Sequence, residues 1–158
     1  MKKLTGMFVA ALLLLSAAAS SLQAVGTSSY ALVTGAGAGV FPDGVSFSGV
    51  NLSGSTFGQG LEVSSGAGLG FFHTILTGTS LNTGIAQNIT LNGTVSTGTV
   101  NADGSVTFGG TAALDLGDGS LPSSVPFTVT VTTTGLTLVI GSTTLPTQTV
   151  DPGSIYIG

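Results

Sequence analysis

Cysteine and tryptophan are absent from this chain of 158 residues, histidine occurs once, and the two basic side chains are Lys2 and Lys3. Without Cys there is no disulfide framework and no thiolate to act as a nucleophile or metal ligand. Phosphate backbones are neutralised by Lys and Arg, so past residue 3 the chain has no electrostatic means of holding a nucleic acid. Attraction to an anionic membrane surface is excluded on the same ground. A single His, with no Cys and no basic residue beyond Lys3, also leaves few side chains for acid–base or nucleophilic catalysis, and the chain is read as a non-enzyme without a cofactor.

The two lysines open a secretory pattern. Behind them lies an apolar run over residues 7–15, MFVAALLLL, followed by small residues with Ala19 and Ala24 as candidate cleavage positions. The run is short for a membrane span, and no stop-transfer charge follows it. Residues 1–24 are therefore expected to be a signal peptide, and residues 25–158 a single domain, secreted to the periplasm, cell surface or extracellular space. The short MKK start reads as bacterial. Once the leader is removed, all six acidic residues remain (Asp43, Glu62, Asp103, Asp115, Asp118 and Asp151) and no basic residue does. The product is acidic, yet its apolar content is far from that of a disordered chain.

What the chain does have is glycine, threonine and β-branched alternation. The clearest stretch is residues 126–141, PFTVTVTTTGLTLVIG. Phe127, Val129 and Val131 alternate with threonines, and after a break at Gly135 the residues Leu136, Leu138 and Ile140 do the same. Period two on both sides of a Gly-containing break predicts a β-hairpin. A second hairpin is expected from residues 94–100 and 105–116 around Asn101-Ala102-Asp103-Gly104. Asn92-Gly93 gives another short hairpin signal.

Weaker strands are read at 25–34, 45–50, 61–63, 69–76, 87–91, 143–150 and 154–157, with turns at Pro42-Asp43-Gly44 and Asp151-Pro152-Gly153. Residues 35–39, GAGAG, read as flexible, 51–60 as a loop with room for a short strand at Leu52, and 77–86 as a loop. Pro146 removes a ladder donor and predicts an edge or a break. The sum is about nine or ten short strands in an all-β antiparallel sandwich or small barrel.

Residues 31–39, ALVTGAGAG, resemble the dinucleotide-binding turn of short-chain dehydrogenases, where a strand ending in Thr-Gly feeds a helix that receives the pyrophosphate. The next residues, Val40 to Gly44, lead to another strand where the family has its helix, and the family's Tyr-x-x-x-Lys has no counterpart here. His73 lies within Phe71-Phe72-His73-Thr74-Ile75, and as part of a strand it shares a face with Phe71 and Ile75. It is expected to be a hydrogen-bonded core or boundary residue.

Asp115 and Asp118, in Asp-Leu-Gly-Asp-Gly, are the candidate metal ligands. Calcium takes six to eight oxygens and this segment supplies two carboxylates, so a plain turn is the default reading and no metal site is expected. Thr128, Thr130 and Thr132 form a candidate surface threonine row, facing ice, sugar or simply solvent. Three Asn-x-Ser/Thr triplets, at Asn51, Asn88 and Asn92, match the glycosylation sequon.

Two functional expectations follow. Sheets normally protect their edges with charge, and this chain has little to place there, so its edges are either closed or covered, or they pair with another copy. The first expectation is a non-catalytic structural protein of the cell surface or extracellular matrix that self-associates through strand edges. The second is a monomeric sandwich or barrel that binds a neutral ligand, a glycan or an apolar molecule, with Phe71, Phe72, Phe108 and Phe127 as candidates to line its interior.

Overall fold

The computed structural model describes residues 30–158. The expected leader and residues 25–29 of the first expected strand lie outside the described residues. The described chain is all-β and antiparallel, and no helix occurs among these residues. Its eleven strands are β1 (Tyr30–Val40), β2 (Ser46–Phe47), β3 (Val50–Ser64), β4 (Ala67–Ser80), β5 (Ala86–Val100), β6 (Val106–Asp115), β7 (Ser123–Val131), β8 (Gly135–Ile140), β9 (Thr143–Thr144), β10 (Gln148–Val150) and β11 (Ile155–Ile157).

From β3 to β8 each strand pairs with the next; β8 then pairs with β10, β10 with β1, and β1 with β3. The pairings thus form a circuit of eight strands that returns to its start. β2 is attached to β3, β9 to β8, and β11 to β1.

Period two decides which side chains are buried. Inward positions carry the apolar residues: Val33, Phe57, Leu61, Phe72, Leu76, Leu91, Phe108, Phe127, Val129 and Leu138 belong to one contiguous core. At its centre the Phe72 ring meets Phe108 edge-on and stacks on Phe127, with centroids 5.8 Å apart in both pairs. Such aromatic pairs contribute about 0.5–1.5 kcal/mol each beyond the area they bury.

The two expected hairpins form. Val131 pairs with Leu136 across one, and Val100 with Val106 across the other. Thr143–Val150 is broken at Pro146, as its missing N–H predicts, into β9 and β10.

Other expectations are corrected. The strands are not uniformly short, since β3 and β5 have 15 residues each and β4 has 14. The stretches 35–39 and 51–60, read as flexible or as loop, lie within β1 and β3. Of the stretch 77–86, the part up to Ser80 belongs to β4. Asn92-Gly93 is not a turn but lies in mid-β5, where Gly93 pairs with both Phe72 and Ala112.

In β1 and β5 the reason is common: the glycines there are inward positions where a side chain would meet a neighbouring strand. A Cβ on Gly93 would lie 2.6 Å from the Phe127 ring, and one on Gly37 would lie 2.8 Å from Ser154 Oγ. The tight turns are instead Ser48-Gly49 and Ser65-Gly66. All four residues have positive φ (48°, 79°, 51° and 88°), the signature of the two-residue type I′ hairpin.

Candidate functional site

Asp115 and Asp118 are each engaged by their own turn. Asp115 Oδ1 accepts from the Gly117 N–H at 2.8 Å, and Asp118 Oδ1 from the Ser120 N–H at 2.9 Å. The Ser120 hydroxyl and, after it, the Ser120 N–H hold the Asp118 carboxyl below the usual carboxylate range. Asp103 is lowered in the same way by the Ser105 hydroxyl and N–H. Among the described residues no three His, Asp or Glu side chains gather as a metal site.

His73 does share a face with Phe71 and Ile75, and that face points outward. Its Nδ1 lies 2.6 Å from Asn92 Oδ1 on the neighbouring strand, the arrangement of an Nδ1–H donating to a carboxamide oxygen.

The threonine row runs across the strands rather than along β7. Thr99, Thr107, Thr130 and Thr137 are successive cross-strand partners on β5 to β8. The Thr107 and Thr130 hydroxyls are 3.0 Å apart, and Thr137 lies 2.7 Å from Thr147. Thr128 is exposed on this face. Thr132 lies just past the end of β7 and is exposed, its hydroxyl accepting from the Thr134 N–H in the β7–β8 turn. Adjacent strands are about 4.8 Å apart, which brings cross-strand hydroxyls within reach of one another, and the Thr107–Thr130 and Thr137–Thr147 contacts close.

The outer surface on β11, β1, β3 and β4 is different. Tyr156 pairs with Thr34, Thr34 with Gly60, and Gly60 with Phe71, so one row runs Tyr–Thr–Gly–Phe. The adjacent row is Leu32, Glu62 and Leu69. Leu69 is 75% exposed, Tyr156 61% and Phe71 56%. The Phe71 ring lies over Gly60, where a Cβ would meet it at 3.0 Å. Clustered exposed apolar side chains of this size are unusual on a soluble surface and mark contact sites. Glu62 is the one charge among them.

Sequence reasoning placed Phe71 with the interior phenylalanines. The structure puts Phe72, Phe108 and Phe127 inside and Phe71 outside, as strict alternation along β4 requires. The signal was the Phe-Phe dipeptide itself, since two adjacent strand residues cannot both face inward.

Two further features lie away from this face. Beside the β4–β5 connection is a cleft of about 370 Å³, with Ser80, Asn82, Thr83, Gln87 and Asp118 among its lining residues. It is tied together by Leu81 N–H donating to Gly49 O at 2.8 Å and by Gln87 Nε2 donating to Leu116 O at 2.7 Å.

Inside the circuit, Ser55 Oγ donates to Gln148 Oε1. Gln59, 4% exposed, has neither its Nε2 nor its Oε1 paired among the described residues. Gln59 faces Gly35 on β1 and Phe72 on β4. A buried amide without partners carries a desolvation cost of about 1–3 kcal/mol. Gln59→Leu, which keeps the bulk and removes the polar atoms, is therefore expected to raise stability by about 1 kcal/mol or more in urea unfolding. A loss of stability would show that the amide has a partner there.

No protein-family model, curated protein or solved structure matches this chain.

Proposed function

We propose that the chain is an exported, non-catalytic structural protein of the cell surface or extracellular matrix, whose body is a closed eight-stranded barrel that associates with copies of itself. The observation that carries this reading is the apolar outer face of Leu32, Leu69, Phe71 and Tyr156, opposed by a hydrogen-bonded threonine face on β5 to β8. One side suits contact and the other suits water.

The circular pairing supports the barrel. It also narrows where association can occur, since the long strands from β3 to β8 have both edges engaged. The inward Val, Leu and Phe and the outward Thr of β5 to β8 reverse the pattern of a membrane-spanning barrel, which supports a water-exposed body. Export rests on the leader pattern of residues 1–24. The non-enzymatic reading, and the exclusion of nucleic acid and anionic membrane as partners, rest on the scarcity of His, Cys, Lys and Arg.

Light scattering behind size exclusion, on residues 25–158 across a hundredfold concentration range, tests association. The mass is expected to rise above the monomer with concentration. A Phe71→Ser variant is expected to weaken that rise while leaving the β-sheet circular dichroism unchanged.

A second reading, binding of a neutral ligand, is favoured by the 370 Å³ cleft, whose lining is rich in hydroxyls and amides. Its size falls within the range of small-molecule sites, and its chemistry suits a polyhydroxylated ligand such as a sugar. A mass that stays monomeric at every concentration overturns the first reading in favour of this one.

A further inference from the structure

We propose that the copies meet at β11, by antiparallel pairing of Ile155–Ile157 with the same strand of a second copy about a two-fold axis through Tyr156. This rests on the self-association reading above and names its contact.

The direction of the backbone groups is fixed by the pairing with β1. Leu32 and Gly158 exchange both hydrogen bonds, at 2.7 and 3.1 Å, and Ala36 N–H donates to Ser154 O at 3.1 Å. In an antiparallel pair, bonded and non-bonded partners alternate. Tyr156, opposite Thr34, therefore turns its N–H and C=O towards β1, and Ile155 and Ile157 turn theirs away. Among the described residues no other strand pairs with β11, which is the end of the strand order. Two donors and two acceptors thus lie along one open edge.

The occupant this edge suits is a second β11. A two-fold axis through Tyr156 sets Ile155 opposite Ile157 of the copy, and Ile157 opposite Ile155. These are the residues whose groups face outward, so both pairs close and four hydrogen bonds form with no leftover donor. A one-residue slip would oppose groups that point away from each other.

The segment reads Ile-Tyr-Ile in both directions and carries no charge. Every side-chain charge from residue 4 onward is acidic, so copies cannot meet through side-chain ion pairs. The axis also places the exposed Tyr156 side chains next to each other, extending the apolar row that runs to Phe71. A contact of this symmetry closes on itself and gives a dimer.

Two substitutions test it. At the axis the two residues 156 form a non-bonded pair with Cα atoms about 4.5 Å apart, within the range a disulfide spans. The chain has no cysteine, so Tyr156→Cys supplies a single thiol. Mild oxidation is expected to convert most of it to a covalent dimer, while Thr128→Cys on the threonine face stays monomeric under the same treatment. Ile157→Pro removes an N–H that points to the open edge and leaves the bonds to β1 in place, a position where an edge strand tolerates proline. It is expected to raise the concentration for half-association by about tenfold.

Association that persists in Ile157→Pro, with no crosslink at residue 156, overturns the β11 contact and leaves self-association standing on another surface. A wild-type chain that is monomeric throughout overturns both. If Ile157→Pro loses its sheet signal, the crosslink alone decides.

Discussion

Phe72→Ala is expected to lower the unfolding free energy by about 3–5 kcal/mol, the cost of truncating a buried aromatic and leaving its cavity. Phe72 is 1% exposed, and its ring touches both Phe108 and Phe127 at the centre of the core. Losing it removes two aromatic contacts as well as the buried area. The neighbours cannot collapse into the gap easily, because Phe127 already lies over Gly93 and the strands on either side are locked in register. For a domain whose total stability is about 5–15 kcal/mol, such a loss approaches unfolding at ambient temperature. The adjacent Phe71→Ala supplies the contrast: its ring faces outward, so the expected change is within about 1 kcal/mol. Urea midpoints of the two variants, measured side by side, check it. Equal losses would mean that the alternation along β4 is not as described.

Gly70→Ala is expected to be the most damaging single-methyl change in the strands. Gly70 has φ of 149°, which L residues rarely adopt, at a register irregularity between β4 and β5. A Cβ there would overlap Gly60 O and lie 2.5 Å from Leu61 Cα, both backbone atoms of a neighbouring strand that cannot swing aside. Backbone strain of about 1–3 kcal/mol adds to an overpacking cost of about the same size. Gly58→Ala is the control, since its outward Cβ meets nothing within 4 Å and its φ is ordinary. It is expected to be neutral or to stabilise by about 0.4–1 kcal/mol through the unfolded chain. Thermal melts of the pair separate a steric requirement at residue 70 from a general dislike of alanine in glycine-rich strands.

These two sites show what the sequence makes legible and what it hides. Where Val, Phe and Leu alternate with Thr, as in residues 126–141, period two reveals both the strands and their inward side. The all-β antiparallel class follows from that pattern. It fails where glycine takes the inward place. A glycine in β1 or β5 is written the same way as a glycine in a loop, and only the ring lying over it, such as Phe127 over Gly93, tells them apart. That ring comes from a strand more than thirty residues away, and nothing local records it. Asn92-Gly93 therefore mimicked a turn, while Ser48-Gly49 and Ser65-Gly66, which do turn, carried a weaker signal. The contact face was hidden for a related reason. Leu32, Leu69, Phe71 and Tyr156 lie on three strands, β1, β4 and β11, and become neighbours only through register, as do the cross-strand threonines.

The pairing of Gly39 with Val150 has a consequence for the order of events in the life of the chain. The successive hairpins from β3 to β8 need only neighbouring sequence, but the ring is joined by residues at opposite ends of the described chain. Non-local pairing of this kind slows folding, placing such topologies in the millisecond-to-second range. A ribosome adds about 5–20 residues per second, so the first strand waits for seconds before its last partner exists. Until then the hairpins from β3 to β8 can form, but β1 and β8 each lack β10, the partner that joins the circuit.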